Sequence, residues 1–253
     1  MRSLIFGAAA LLAVAAPSMA AAETGGALRL TYASLDGGRD SFECECSDSK
    51  DSIVALSGIV ITDLDHEGWR VQINGGSADM DHNNHSDAFS QVEVHAVKDL
   101  GPVQVGAFAG MFNNNGHSFN EFGVEAAMDF EKGRIAVSAT TANSPNSSFF
   151  DDTTSVAATG TFNLNDSWSI GATVSSTDFG NFGNGEDVDS YGVNIAYRVP
   201  DSNFTIGLGY RSSDSDHEVD FVGVSLTWGF GEGARGRDMP GAMALLPDAA
   251  AVE

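Results

Sequence analysis

Apolar side chains recur at every second position in segment after segment of this chain, and few patterns restrict a fold more tightly. Successive residues of a strand point to opposite faces, so strict alternation specifies a sheet with one apolar and one polar face. From Trp69 to Gly75, Trp69, Val71 and Ile73 share one face while Arg70, Gln72 and Asn74 share the other. Val92, Val94 and Ala96 oppose Gln91, Glu93 and His95, and Phe122, Val124, Ala126, Met128 and Phe130 oppose Glu121, Glu125 and Asp129. Leu28, Leu30 and Tyr32 alternate with Arg29 and Thr31; Tyr191 to Tyr197 alternate with Asn194 and Arg198, and Phe204 to Tyr210 with Thr205 and Arg211.

With the segments 135–140, 168–174 and 222–230, and the weaker ones at 53–61, 102–112 and 153–163, the pattern predicts twelve strands. Segment 53–61 has no clear phase, which leaves ten or fourteen open. Short connections at 63–68, 98–101, 131–133, 164–166 and 199–202 hold tight-turn residues such as Asp99-Leu100-Gly101 and Pro200-Asp201. They alternate with longer polar loops at about 36–52, 77–87, 113–118, 143–152, 178–189 and 212–220. Short, long, short, long is the wiring of an antiparallel up-and-down barrel with one plain and one elaborated rim.

A soluble barrel turns its apolar face inward, whereas a barrel in lipid turns it outward and closes so that every backbone group finds a partner. Three features predict the second arrangement. Tyr32, Trp69, Phe122, Phe130, Phe162, Trp168, Tyr191, Tyr197, Phe204, Tyr210 and Trp228 lie on the apolar face, most of them near strand ends, where membrane barrels carry aromatic girdles. The opposite face carries charges in mid-strand. Segments of about nine to twelve residues suit a tilted crossing.

The first residues agree with export. Met1-Arg2-Ser3 precede an apolar or small-residue run from Leu4 to Ala16, followed by Pro17-Ser18-Met19-Ala20-Ala21-Ala22. This is the layout of a secretory signal peptide, cleaved after Ala20 or Ala22. The expected organisation is a signal peptide over 1–22, a barrel over 23–230 and a periplasmic tail over 231–253. A formal charge of −23 with only 12 Lys and Arg excludes nucleic acid as a partner. Disorder, the other reading of such acidity, is excluded by a hydrophobic content of 42% and by the placement of acids between apolar segments.

These residues together resemble the outer-membrane β-barrel and porin-like families of Gram-negative bacteria over residues 27–230, closing on Val222-Gly223-Val224-Ser225-Leu226-Thr227-Trp228-Gly229-Phe230. The resemblance implies a channel for passive diffusion of small hydrophilic solutes or ions, surrounded by outer-membrane lipid and lipopolysaccharide and inserted by the barrel-assembly machinery. It implies no cofactor and no enzyme. Such families commonly end at the last strand's aromatic residue, whereas here 23 further residues, Gly231–Glu253, follow Phe230. The expected alternative function is a non-conducting barrel whose acidic loops bind a ligand or surface.

The polar face supplies the candidate pore lining: Arg29, Arg70, Gln72, Glu93, His95, Glu121, Glu125, Asp129, Arg198 and Arg211. Arg29, Arg70, Arg198 and Arg211 are expected to form a basic sector beside an acidic one, with small residues such as Ala136, Ser138, Thr140, Thr159 and Thr173 completing the circle. Separated sectors would leave a wet pore; touching ones would pair and plug the lumen. Acidic loops at the mouth would favour cations. Within the loop 77–87, Asp79, Asp81, His82 and His85 are a weak divalent-cation candidate, lacking the glycine and closing glutamate of an EF-hand. Cys44 and Cys46 could form a disulfide, strained across one intervening residue, or two ligands of an incomplete soft-metal site. His95 is a lumen-lining residue rather than a base, because no nucleophile accompanies it.

Overall fold

The computed structural model describes residues 24–37, 51–64, 67–82, 85–114, 117–143, 153–178, 187–214 and 218–231. Twelve antiparallel strands run in chain order: β1 (Thr24–Gly37), β2 (Asp51–Asp63), β3 (Trp69–His82), β4 (His85–Asp99), β5 (Val103–Asn114), β6 (His117–Phe130), β7 (Gly133–Asn143), β8 (Thr153–Asn163), β9 (Trp168–Asp178), β10 (Asp187–Arg198), β11 (Phe204–Asp214) and β12 (Glu218–Phe230). Each pairs with its sequence neighbours, and β12 returns to β1 from Gly26↔Phe230 to Gly37↔Val219, closing the barrel. Closure leaves no edge, so the ladder satisfies the backbone without water. The last strand therefore stands where the sequence places it, with Phe230 at the seam.

The apolar face points outward. Val92, Val94, Phe122, Val124, Met128, Val193, Leu208 and Val224 are all exposed, a continuous apolar surface that would be far larger than the patches soluble monomers tolerate. The predicted girdle residues lie on this face. Trp69, Phe130, Phe162, Trp168, Tyr197, Phe204 and Trp228 mark the short-turn ends of their strands, and Trp168 packs on Tyr197 with centroids 4.8 Å apart. At the same rim Lys98 lies over the Trp69 ring, 5.5 Å from its centroid, with Nζ donating to the Glu67 carbonyl. A cation held over an aromatic ring suits the headgroup layer.

The short turns are as expected. Leu100 N donates to Val103 O, and Asp99 Oδ1 accepts from Gly101 N at 3.1 Å, leaving Gly101 in the left-handed region with φ 89°. Three of the expected long loops are corrected. β3 runs on to His82 and β4 begins at His85; β5 and β6 are separated only by 115–116, and β11 and β12 only by 215–217. Polar residues past the membrane still pair in the ladder, so polarity marked the lipid boundary and not the strand end. Asp81, His82 and His85 thus sit in a hairpin, Asp81↔Ser86 and His82↔His85, with side chains outside the described residues. The expected signal peptide, Cys44, Cys46 and the tail beyond Gly231 also lie outside them.

β2 owes its ambiguous phase to being apolar on both faces. Ile53, Ala55, Ile59 and Ile61 share the inner face with Gln72 and Asn74, while Val54, Leu56 and Val60 face outward. Twelve strands is therefore the count.

Candidate functional site: the lumen wall

The ten candidate residues stand at inner-face positions of their strands, and of the four arginines expected together, Arg29, Arg198 and Arg211 share one side while Arg70 does not join them. On the wall made by β3 to β7, the polar side chains lie flat and bond to one another. Gln72 Nε2 donates to Asn74 Oδ1 at 2.8 Å, Asn74 Nδ2 to Glu93 Oε2 at 3.1 Å, and Gln91 Nε2 to Glu121 Oε2 at 2.8 Å and Glu93 Oε1 at 3.3 Å. The His95 ring lies between two carboxylates, its Nδ1 2.8 Å from Glu125 Oε1 and its Nε2 3.4 Å from Glu93 Oε2. Glu93, His95 and Glu121 are completely shielded from solvent.

Glycines make this arrangement possible. A methyl at Gly106 would come within 2.8 Å of Glu125 Oε1, and one at Gly110 within 3.0 Å of Glu93 Cγ. Phe108 lies across Gly123 and against the His95 ring, with centroids 5.1 Å apart. Side chains too long to stand upright in a narrow barrel are thereby laid along β5 and β6.

Nearer the plain rim a second group forms. Arg134 Nη1 donates to Asp129 Oδ1 at 2.7 Å and Nη2 to Gln104 Oε1 at 2.6 Å; Arg70 Nη2 reaches the same oxygen at 2.8 Å, and Gln104 Nε2 donates to Asp129 Oδ2 at 3.0 Å. Arg70, expected in the basic sector, is buried here within the acidic one. Strand order explains this, since Arg70 on β3 is paired through β4 with β5 and lies far from β10 and β11. Alternation alone places a residue on a face but not beside its cross-lumen partners, and Arg134, Gln104 and Gln91 were missed as partners for the same reason.

The wall from β8 round to β1 is different. Gly171, Gly192, Gly207, Gly209 and Gly223 share its inner face with Thr159, Thr173, Asn194 and Ser225, and Arg29, Asn194 and Arg198 are exposed there. Arg29 Nε donates to Thr227 Oγ1 at 3.2 Å, and Arg211 Nη2 to Ser175 Oγ at 3.1 Å. Water therefore reaches the inner face on the glycine wall, which the buried polar wall of β3 to β7 does not offer.

Towards the elaborated rim the inner face becomes apolar and shielded. Phe89, Phe112, Phe119 and Phe221 form one buried cluster with Ala78 and Ala142, backed by Ile53 and Ala55. Phe112 meets Phe119 with centroids 5.8 Å apart, and Phe89 meets Phe112 at 6.4 Å. At this end Ser155 and Thr177 bond at 2.9 Å and Ser190 and Ser213 at 2.7 Å, all four buried. Sequence reasoning missed the collar because its phenylalanines share the phase of polar residues. The detectable signal was Phe119 in register with Glu121, and Phe221 with Ser225.

Among the described residues no cluster of His, Cys, Asp or Glu is arranged to hold a metal ion.

Several solved barrels superpose on this geometry. The NanC porin aligns with TM-score 0.61 at 10% identity, covering 79% of this chain and 98% of that one. An outer-membrane channel from Pseudomonas putida F1 gives 0.60 at 8%, covering 83% and 96%. The KdgM porin, solved in complex with disordered oligogalacturonate, gives 0.54 at 8%, covering 79% and 97%. At such identities the likeness is one of fold. Among curated proteins no relative matches. The model of the Gram-negative porin family matches residues 55–235, most of the barrel, and the chain belongs to that family of outer-membrane channels.

Proposed function

We propose that this barrel is a passive channel for small hydrophilic solutes or ions, entered from the plain rim along the glycine wall. The supporting observation is the solvent exposure of Arg29 and Asn194 within the inner face, since a barrel filled by its own side chains would bury them. The polar cluster on β3 to β7 narrows the lumen without filling it.

In this reading the chain is exported by cleavage after Ala20 or Ala22, the short turns face the periplasm, and residues 231–253 emerge on that side. Carboxylates at the outer ends of β9 to β11, including Asp178, Asp189 and Asp214, face the lipopolysaccharide layer, and the acidic mouth draws cations towards the opening. The barrel-assembly machinery completes insertion.

The shielded phenylalanine collar favours a second reading, a non-conducting barrel whose outer loops bind a ligand or surface. Planar-bilayer recording on the purified, folded protein separates the two. Discrete conductance steps are expected; a silent bilayer with folded protein would leave the non-conducting reading.

A further inference from the structure

The formal charge of −23 suggests a cation channel, but it is not the charge that a solute meets inside. In mid-barrel the inner carboxylates are withdrawn from the lumen: Glu93, Glu121 and Glu125 are buried within the hydrogen-bonded wall, and Asp129 is held by Arg134 and Gln104, while Asp63 and Asp99 stand half-buried at the plain rim in register with Arg70 and Gln104. Among the described residues, no carboxylate takes an inner-face position on the strands from β8 round to β1, and the nearest acids are Asp166 and Asp201 of the rim turns, which line a surface hollow with Arg198. That stretch, the open side, carries Arg29, Arg198 and Arg211.

Register places two of these guanidinium groups in one line. Arg29 opposes Thr227, Thr227 opposes Thr205, and Thr205 opposes Arg198, all on the inner face. Three strand spacings separate the arginines, about 14 Å along the wall at ~4.8 Å per spacing. The hydroxyls of Thr205 and Thr227 lie between them. Arg211 stands six residues further along β11 from Thr205, beside the collar. An anion entering from the plain rim would pass from the forked donors of Arg29 and Arg198 to those of Arg211, with threonine and asparagine groups to bond on the way.

We infer that the open wall makes this barrel an anion-preferring channel, with Arg29, Arg198 and Arg211 as the specificity determinants and small carboxylates, phosphates or chloride as the permeant class. The inference rests on the channel reading above and sets its selectivity. Physical scale decides between rim and lumen. Exposed loop charges are screened beyond a Debye length of about 8 Å at physiological salt, whereas charges on the wall of a narrow passage act at contact distance.

The test is the reversal potential of single channels across a tenfold potassium chloride gradient. The wild-type protein should favour chloride. The triple variant R29Q/R198Q/R211Q, which keeps side-chain length and amide donors, should lose about threefold in the chloride-to-potassium permeability ratio, and lysine at the same three positions should restore it. Conducting channels that prefer potassium, or whose ratio is the same in the glutamine variant, would overturn the inference while leaving the channel intact. No conductance from folded protein would overturn both. Circular dichroism of the variant establishes folding, since Arg29 and Arg198 lie exposed.

Discussion

His95 shows what one residue does in a wall of this kind. Its ring stands between Glu93 and Glu125, all three shielded from solvent, so removing it would leave two buried carboxylates short of a partner. Breaking a buried charged contact from one side costs about 3–5 kcal/mol. His95→Ala should therefore lower the urea midpoint in detergent by an amount corresponding to that range. Adding Glu125→Gln to it should cost less than the two single changes summed, because both changes remove the same contact. Additive losses would show that the ring and the carboxylate are not coupled. Which face His95 and its partners occupy was readable from alternation, because Gln91, Glu93 and His95 share one parity. That Glu125 would be the partner was not, since it depends on β4 and β6 reaching across β5, where Gly106 leaves room for the carboxylate.

Elements carry their own lesson at the seam between β12 and β1. Phe230 lies over Gly26, and a methyl there would overlap both the ring and the Ile59 carbonyl. The aromatic residue covers the strip of backbone that a glycine exposes, on the pair that closes the barrel. Gly26→Ala should force the ring aside and cost about 1–3 kcal/mol, read as a lower temperature for conversion of the compact to the unfolded form on electrophoresis. Phe230→Ala, which only uncovers the strip, should convert at a temperature between that of the wild type and that of Gly26→Ala. Nine strands announced themselves by clear alternation and the segments 102–112 and 153–163 more weakly, whereas β2 had no clear phase, because Ile59 and Ile61 turn apolar groups inward beside Leu56 and Val60 on the opposite face. Loop lengths misled at β3–β4 because Asp79, Asp81 and His82 are polar for reasons of altitude above the bilayer, not because the ladder stops.

At the scale of the whole molecule, the passage has a polar, water-accessible end and an apolar, shielded one in series. Apolar constrictions control flow by dewetting. The double variant F89A/F112A should raise single-channel conductance several-fold if the collar limits the current, and leave it unchanged if the limit lies at the arginines. Tracer uptake into proteoliposomes would check the same point without voltage. The position of the water-accessible strip has a consequence for sieving. One side of the interior is thickened by long side chains laid flat and the other thinned to glycine, so a channel of this build should have a slot against one wall as its free cross-section instead of a round bore. A round hole excludes by mass, but a slot excludes by thickness: flat or extended solutes should pass where compact ones of equal weight are refused.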